Sequence, residues 1–105
     1  MQTILLYITA KNKQEAQSIA QTLLAEKLIA CANILPEVTS LFQWQGTMQE
    51  DSEVIMLAKT TKQNTSCCIE RITALHSYDC PCILAFAPEG GHEPFIKWIF
   101  SQVRD

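Results

Sequence analysis

Residues 37–60 read EVTSLFQWQGTMQEDSEVIMLAKT. Two runs rich in β-formers, Val38–Trp44 and Ser52–Thr60, flank Gln45-Gly46-Thr47. Gly tolerates the positive φ that a tight hairpin turn demands, so the segment predicts one long hairpin. In the second run Val54, Met56 and Ala58 alternate with Ile55, Leu57 and Lys59. Side chains point to opposite faces at every step, so both faces of this strand are apolar for most of its length.

The chain upstream is apolar from Ala30, interrupted by Pro36. Pro cannot donate to a β-ladder, so an extended segment with a bend or bulge is expected there. Earlier still, Thr3–Thr9 (TILLYIT) reads as a buried strand. Asn12 with Glu15 three residues on is close to a capping box. Ala16, Ile19, Ala20, Leu23, Leu24 and Leu28 then recur at helical spacing over about four turns. Downstream, Thr61 or Asn64 can cap a second helix that carries Cys68, Ile69, Ile72 and Leu75 on one face. His76–Pro81 breaks it, and Cys82–Ala87 is a further strand run. After the loop Pro88-Glu89-Gly90-Gly91, a short helix carries Phe95, Ile96, Ile99, Phe100 and Val103.

The order is β-α-β-β-α-β followed by α. Two right-handed β-α-β halves joined by a hairpin predict an α+β, ferredoxin-like sandwich, a single domain over residues 1–105. Two long helices cover one sheet face. The other face is apolar too, so self-association, cover by the last helix, or both are expected.

Composition narrows the functional classes. The chain has 105 residues, 48% of them apolar and 18% charged, with a net charge of −3. That balance supplies a core and no basic footprint, so no nucleic-acid partner is expected. Apolar runs such as Ile83–Ala87 fall far short of the ~20 residues that cross a bilayer, and no membrane partner is expected. Met1-Gln2-Thr3-Ile4 lacks the positive and long apolar regions of a signal peptide. With five cysteines, an odd number, this predicts free thiols in a reducing, cytoplasmic compartment.

Several groups could carry chemistry. Cys80 and Cys82 are two residues apart and point the same way in an extended segment, with His76 near in sequence. Thiolates suit Cu(I) or Zn(II), so His76, Cys80 and Cys82 form the candidate metal set. Cys-x-Cys is not a zinc-site spacing, and these residues serve equally as small packing or surface thiols. Cys67 and Cys68 diverge on a helix, and Cys31, between two alanines, is expected to be buried. Trp44, Lys59, Tyr78 and Asp79, near strand ends, form a second candidate set: a lysine, a tyrosine and a carboxylate could hold an anionic or polar small molecule, or form a salt bridge or hydrogen bond that locks an assembly. Glu50-Asp51-x-Glu53 could attract a divalent cation, or be a solvated hairpin end. The loop Ala10-Lys11-Asn12-Lys13 has neither the Gly nor the Arg of an acylphosphatase-like site. No Ser-His-Asp set, P-loop or Gly-x-Gly-x-x-Gly is present, so no enzyme is expected.

Five motifs in order resemble one family: Leu28-Ile29-Ala30-Cys31-Ala32-Asn33-Ile34; Ser40-Leu41-Phe42-Gln43-Trp44-Gln45-Gly46; Glu53 with Lys59-Thr60-Thr61; His76-Ser77-Tyr78-Asp79-Cys80-Pro81; and Phe95-Ile96-Lys97-Trp98. They look like the CutA family of divalent-cation tolerance proteins over about residues 3–103. The resemblance implies a ferredoxin-like subunit, a homotrimer whose long hairpin reaches a neighbour, and a cytoplasmic role tied to copper or another soft divalent metal ion. It also implies that Trp44, Lys59, Tyr78 and Asp79 line a cleft between subunits. A trimer resembling that of the PII signalling proteins makes a small-molecule sensor or scaffold the alternative function. Family members proposed to bind copper carry a cysteine in the first strand and two adjacent histidines before the Tyr motif. Ile8, Leu75 and His76 stand at those positions here, so only His76 maps onto that site.

Overall fold

A computed structural model describes residues 2–105. Four strands and three helices follow in chain order: β1 (Thr3–Ala10), α1 (Lys13–Ala25), β2 (Cys31–Trp44), β3 (Thr47–Thr61), α2 (Thr65–Leu75), β4 (Ile83–Phe86) and α3 (Glu93–Gln102). They form one sheet in the order β2-β3-β1-β4, with every neighbouring pair antiparallel. This is the ferredoxin-like topology expected from the element order.

Register explains the core. Leu6 lies opposite Ala58 and Ala85, and Ile8 opposite Met56 and Ile83. These residues share one face. Leu6, Ile8, Met56 and Ala58 are fully buried there with Leu23 of α1 and Ile72 of α2. Burying each large aliphatic side chain contributes roughly 1.5–3 kcal/mol. Arg71 on α2 ties to Glu26 at the end of α1 at 2.9 Å. The opposite face carries Leu5, Tyr7, Leu35, Ile55, Leu57, Leu84 and Phe86. α3 lies against β3 and β1 with Ile99 buried, but Leu35, Leu84 and Phe86 stay exposed.

The local signals work as chemistry requires. Asn12 Oδ1 accepts from Glu15 N–H at 2.8 Å and caps α1. α1 ends at Ala25, one turn before Leu28, because Lys27 takes a left-handed conformation, φ 59°. Leu28 N–H then donates to Leu23 C=O and Lys27 N–H to Leu24 C=O, a Schellman closure without glycine. Gln45 and Gly46 have φ of 50° and 78°, as a type I′ turn demands. β2 runs unbroken past Pro36, which sits in a bulge between Leu35 and Val38 with Glu37 at φ 38°. A single turn of 3-10 helix over Lys62–Asn64 precedes α2. Asn64 does not cap through its side chain, which instead donates to Thr61 Oγ1 and Arg104 C=O.

Two strand limits differ from the sequence expectation. β3 begins at Thr47 and not Ser52, so the acidic run lies inside a strand. β1 ends at Ala10, opposite Val54, while β2 and β3 stay paired out to Trp44 and Thr47. The outer hairpin therefore leaves the sheet as a two-stranded arm, and the chain spans 44 × 26 × 22 Å. β4 is short, from Ile83 to Phe86. Cys31 is half-exposed rather than buried; it stands on the open face opposite Lys59.

Candidate functional site

The loop between α2 and β4 fills the notch where β1 stops and the arm departs. Its first residue is fixed in three ways. His76 N–H donates to Ile72 C=O at 2.9 Å and closes α2. The His76 ring reaches Thr9 C=O through Nε2 at 2.8 Å. Its Nδ1 accepts from Tyr78 N–H at 3.1 Å. A backbone N–H can only donate and a carbonyl can only accept, so the ring is neutral and protonated on Nε2. Glu15, in the first turn of α1, accepts from Ser77 N–H at 2.9 Å and from Lys11 N–H at 3.1 Å. Burial pushes the Glu15 carboxyl up, but these hydrogen bonds outweigh it and hold the group below its ordinary range.

Tyr78 follows. Its ring packs against His76 at 4.7 Å between centroids. Its hydroxyl donates to Glu53 Oε2 on β3 at 2.7 Å, so the loop is pinned to the root of the arm. Burial first, then the neighbouring Glu53 carboxylate, pushes the phenol well above its ordinary range. The loop, the end of β1 and the arm together enclose an open cleft of about 790 Å³. Tyr7 and Thr9 of β1, Phe42 and Trp44 of β2, and the acidic Asp51 and Glu53 of β3 line it. Cys80 and Cys82 face the same space; both thiols are free and exposed.

The residues expected from sequence divide. Cys80 and Cys82 share the cleft with Trp44 and Tyr78. His76 is buried behind it, with both ring nitrogens already engaged. Lys59 is elsewhere: it lies opposite Leu5 and Cys31, and its Nζ donates to Asn33 Oδ1. Asp79 is exposed and does not line the cleft. Of the acidic run, Asp51 and Glu53 face the cleft while Glu50 points away, as alternation along β3 requires. Cys68 is buried, donates to Leu28 C=O at 3.3 Å, and burial raises its pKa, the signature of an inert packing thiol. Among the described residues no three His, Cys, Asp or Glu side chains stand close enough together to hold one metal ion. Glu53 as the partner of Tyr78, and Glu15 as the anchor of the loop, were not expected. The only signal for Glu15 was its place in the cap.

The strand order and the open cleft beside the α2–β4 loop define a ferredoxin-like domain. The family model for the CutA1 divalent ion tolerance protein matches residues 4–102, and the chain belongs to that family. It is 40% identical over 98 residues to the divalent-cation tolerance protein CutA of Archaeoglobus fulgidus, covering 93% of this chain and 95% of the relative. It is 32% identical to the chloroplastic protein CutA of Arabidopsis thaliana over 98% of this chain, but spans only 57% of that longer relative. The crystal structure of CutA1 from Oryza sativa superposes with a TM-score of 0.97 at 31% identity, covering 100% of this chain and 96% of that one. A solved structure of the Archaeoglobus protein, described as periplasmic, matches with a TM-score of 0.94 at 37% identity, over 97% of this chain and 99% of that one.

Proposed function

We propose that the protein is a homotrimeric binding protein, not an enzyme, that serves divalent-cation tolerance by holding copper or another soft metal ion in the cleft. One observation carries this. Two exposed thiols from a pinned loop face the same space as the Asp51 and Glu53 carboxylates. Thiolates supply soft donors, and the carboxylates lower the energy of an entering cation. His76 serves as the loop's anchor, with Cys80 and Cys82 as ligands. The free thiols favour a reducing compartment, and we place the protein in the cytoplasm. Within one chain Lys59 stands apart from Trp44 and Tyr78, so the small-molecule alternative would need Lys59 of one chain beside the cleft of another. Equilibrium dialysis of reduced protein against copper or zinc tests the reading. Bound ion is expected, and Cys80→Ser with Cys82→Ser should remove it. No uptake by the parent chain, or unchanged uptake by the double variant, would contradict it.

A further inference from the structure

The donors in the cleft are few, and their number selects among ions. Resting on the function proposed above, we infer that the Cys80–Cys82 pair is a two-thiolate site for a soft cation satisfied by two ligands, copper in its monovalent state, and that it discriminates against zinc. Three observations support this choice.

The two thiols are matched to one ion. Both are free, both are exposed and both face the cleft. They are separated by Pro81 alone, so their Cα atoms lie at most about 7 Å apart. A two-coordinate bridge between sulfurs spans about twice a metal–thiolate bond of ~2.3 Å. Two side chains directed into one cleft from that separation can close it.

The neighbouring donors are engaged or, like the Asp51 carboxylate of the same cleft, not close enough to complete a group of three. The His76 ring donates to Thr9 C=O and accepts from Tyr78 N–H. Releasing it would detach the loop that presents the cysteines. Glu53 already accepts the Tyr78 hydroxyl. No third His, Cys, Asp or Glu completes a metal-binding group among the described residues. Zinc in protein sites takes four ligands, and calcium takes six to eight oxygens, so both are poorly served. Monovalent copper accepts soft thiolates and needs no third protein donor.

The loop itself is rigid where it must be. Thr9 N–H donates to Cys82 C=O at 3.4 Å on one side, and Tyr78 is fixed to Glu53 on the other. Pro81 limits the backbone between the thiols. Little ordering is left for the ion to bring about. Binding displaces one proton from each thiol, giving a bis-thiolate of net charge −1 and releasing two protons.

The test is a competition under anaerobic, reducing conditions. Cu(I) alone and Zn(II) alone are titrated into the full chain against chromogenic chelators. One Cu(I) per chain is expected, with a dissociation constant about a hundredfold or more below that for Zn(II). Cys80→Ser and Cys82→Ser, taken singly, should each weaken Cu(I) about a hundredfold, because losing a ligand costs at least as much as losing a ligand's supporting partner. Cys67→Ser, on the exposed side of α2, should leave Cu(I) binding unchanged. Equal or tighter Zn(II) binding, or Cu(I) retained in either cleft variant, would overturn the two-thiolate assignment while leaving the cleft as a metal site. Failure to bind either ion would overturn the proposed function itself.

Discussion

His76 shows how a residue visible in a sequence can take a part that spacing does not report. Its position in the break after α2, near two cysteines, suggests a ligand. The fold uses it as a bracket. Both ring nitrogens serve backbone groups, one on β1 and one in its own loop. Sequence spacing cannot report that Thr9 C=O lies within reach, because the contact spans 67 residues. Lys59 illustrates the same limit. The family resemblance groups it with Tyr78; within one chain, register sets it opposite Leu5, near the far end of β1, with Asn33 as its partner. Tyr78 gives the prediction at this scale. Its folded pKa is raised, so its contribution is complete below the ordinary phenol value of 10.0 and is lost as pH climbs through the folded value. The unfolded chain gives up the proton first, so stability falls above about pH 10. Urea unfolding of Tyr78→Phe should show lower stability at neutral pH and a shallower alkaline decline than the parent. An identical alkaline decline in both would show that the Tyr78–Glu53 bond is not the source.

At the scale of elements, the order of strands and helices was legible because each carries its own period and its own punctuation. Asn12 and Glu15 announce the start of α1, and Gly46 announces the hairpin turn. Element ends were less legible where no residue marks them. Nothing in Ile8-Thr9-Ala10 or Thr47-Met48-Gln49 says that β1 stops at Ala10 while β3 extends back to Thr47, since that is set by pairing and not by local preference. Helical spacing alone puts Leu28 in α1. In the structure it is the apolar residue just beyond the Schellman closure, buried against the core. Lys27 holds the left-handed position that glycine usually fills, at a cost of about 1 kcal/mol or more. Lys27→Gly should therefore stabilise the protein by about 1 kcal/mol, read as a higher urea midpoint at unchanged slope. A lower midpoint would mean that Lys27 makes compensating contacts through its side chain.

For the whole molecule, the arm is the feature that most needs explanation. A two-stranded ribbon is marginal by itself in water. This one exposes Leu41 at 64%, Trp44 at 54% and Met48 at 70%. The open sheet face adds Leu84 and Phe86, each more than half exposed. The apolar second face was legible in the alternation of β3. Its continuation onto an arm was not, because that depends on where β1 ends. Copies of the same chain, each lending its arm to a neighbour around a threefold axis, would bury these groups and bring the walls of three clefts together. The most direct measurement of this account is the native mass of the reduced protein at micromolar concentration. Three times the 11.8 kDa of one chain is the predicted result. A mass of 11.8 kDa, with the protein still folded, would contradict it.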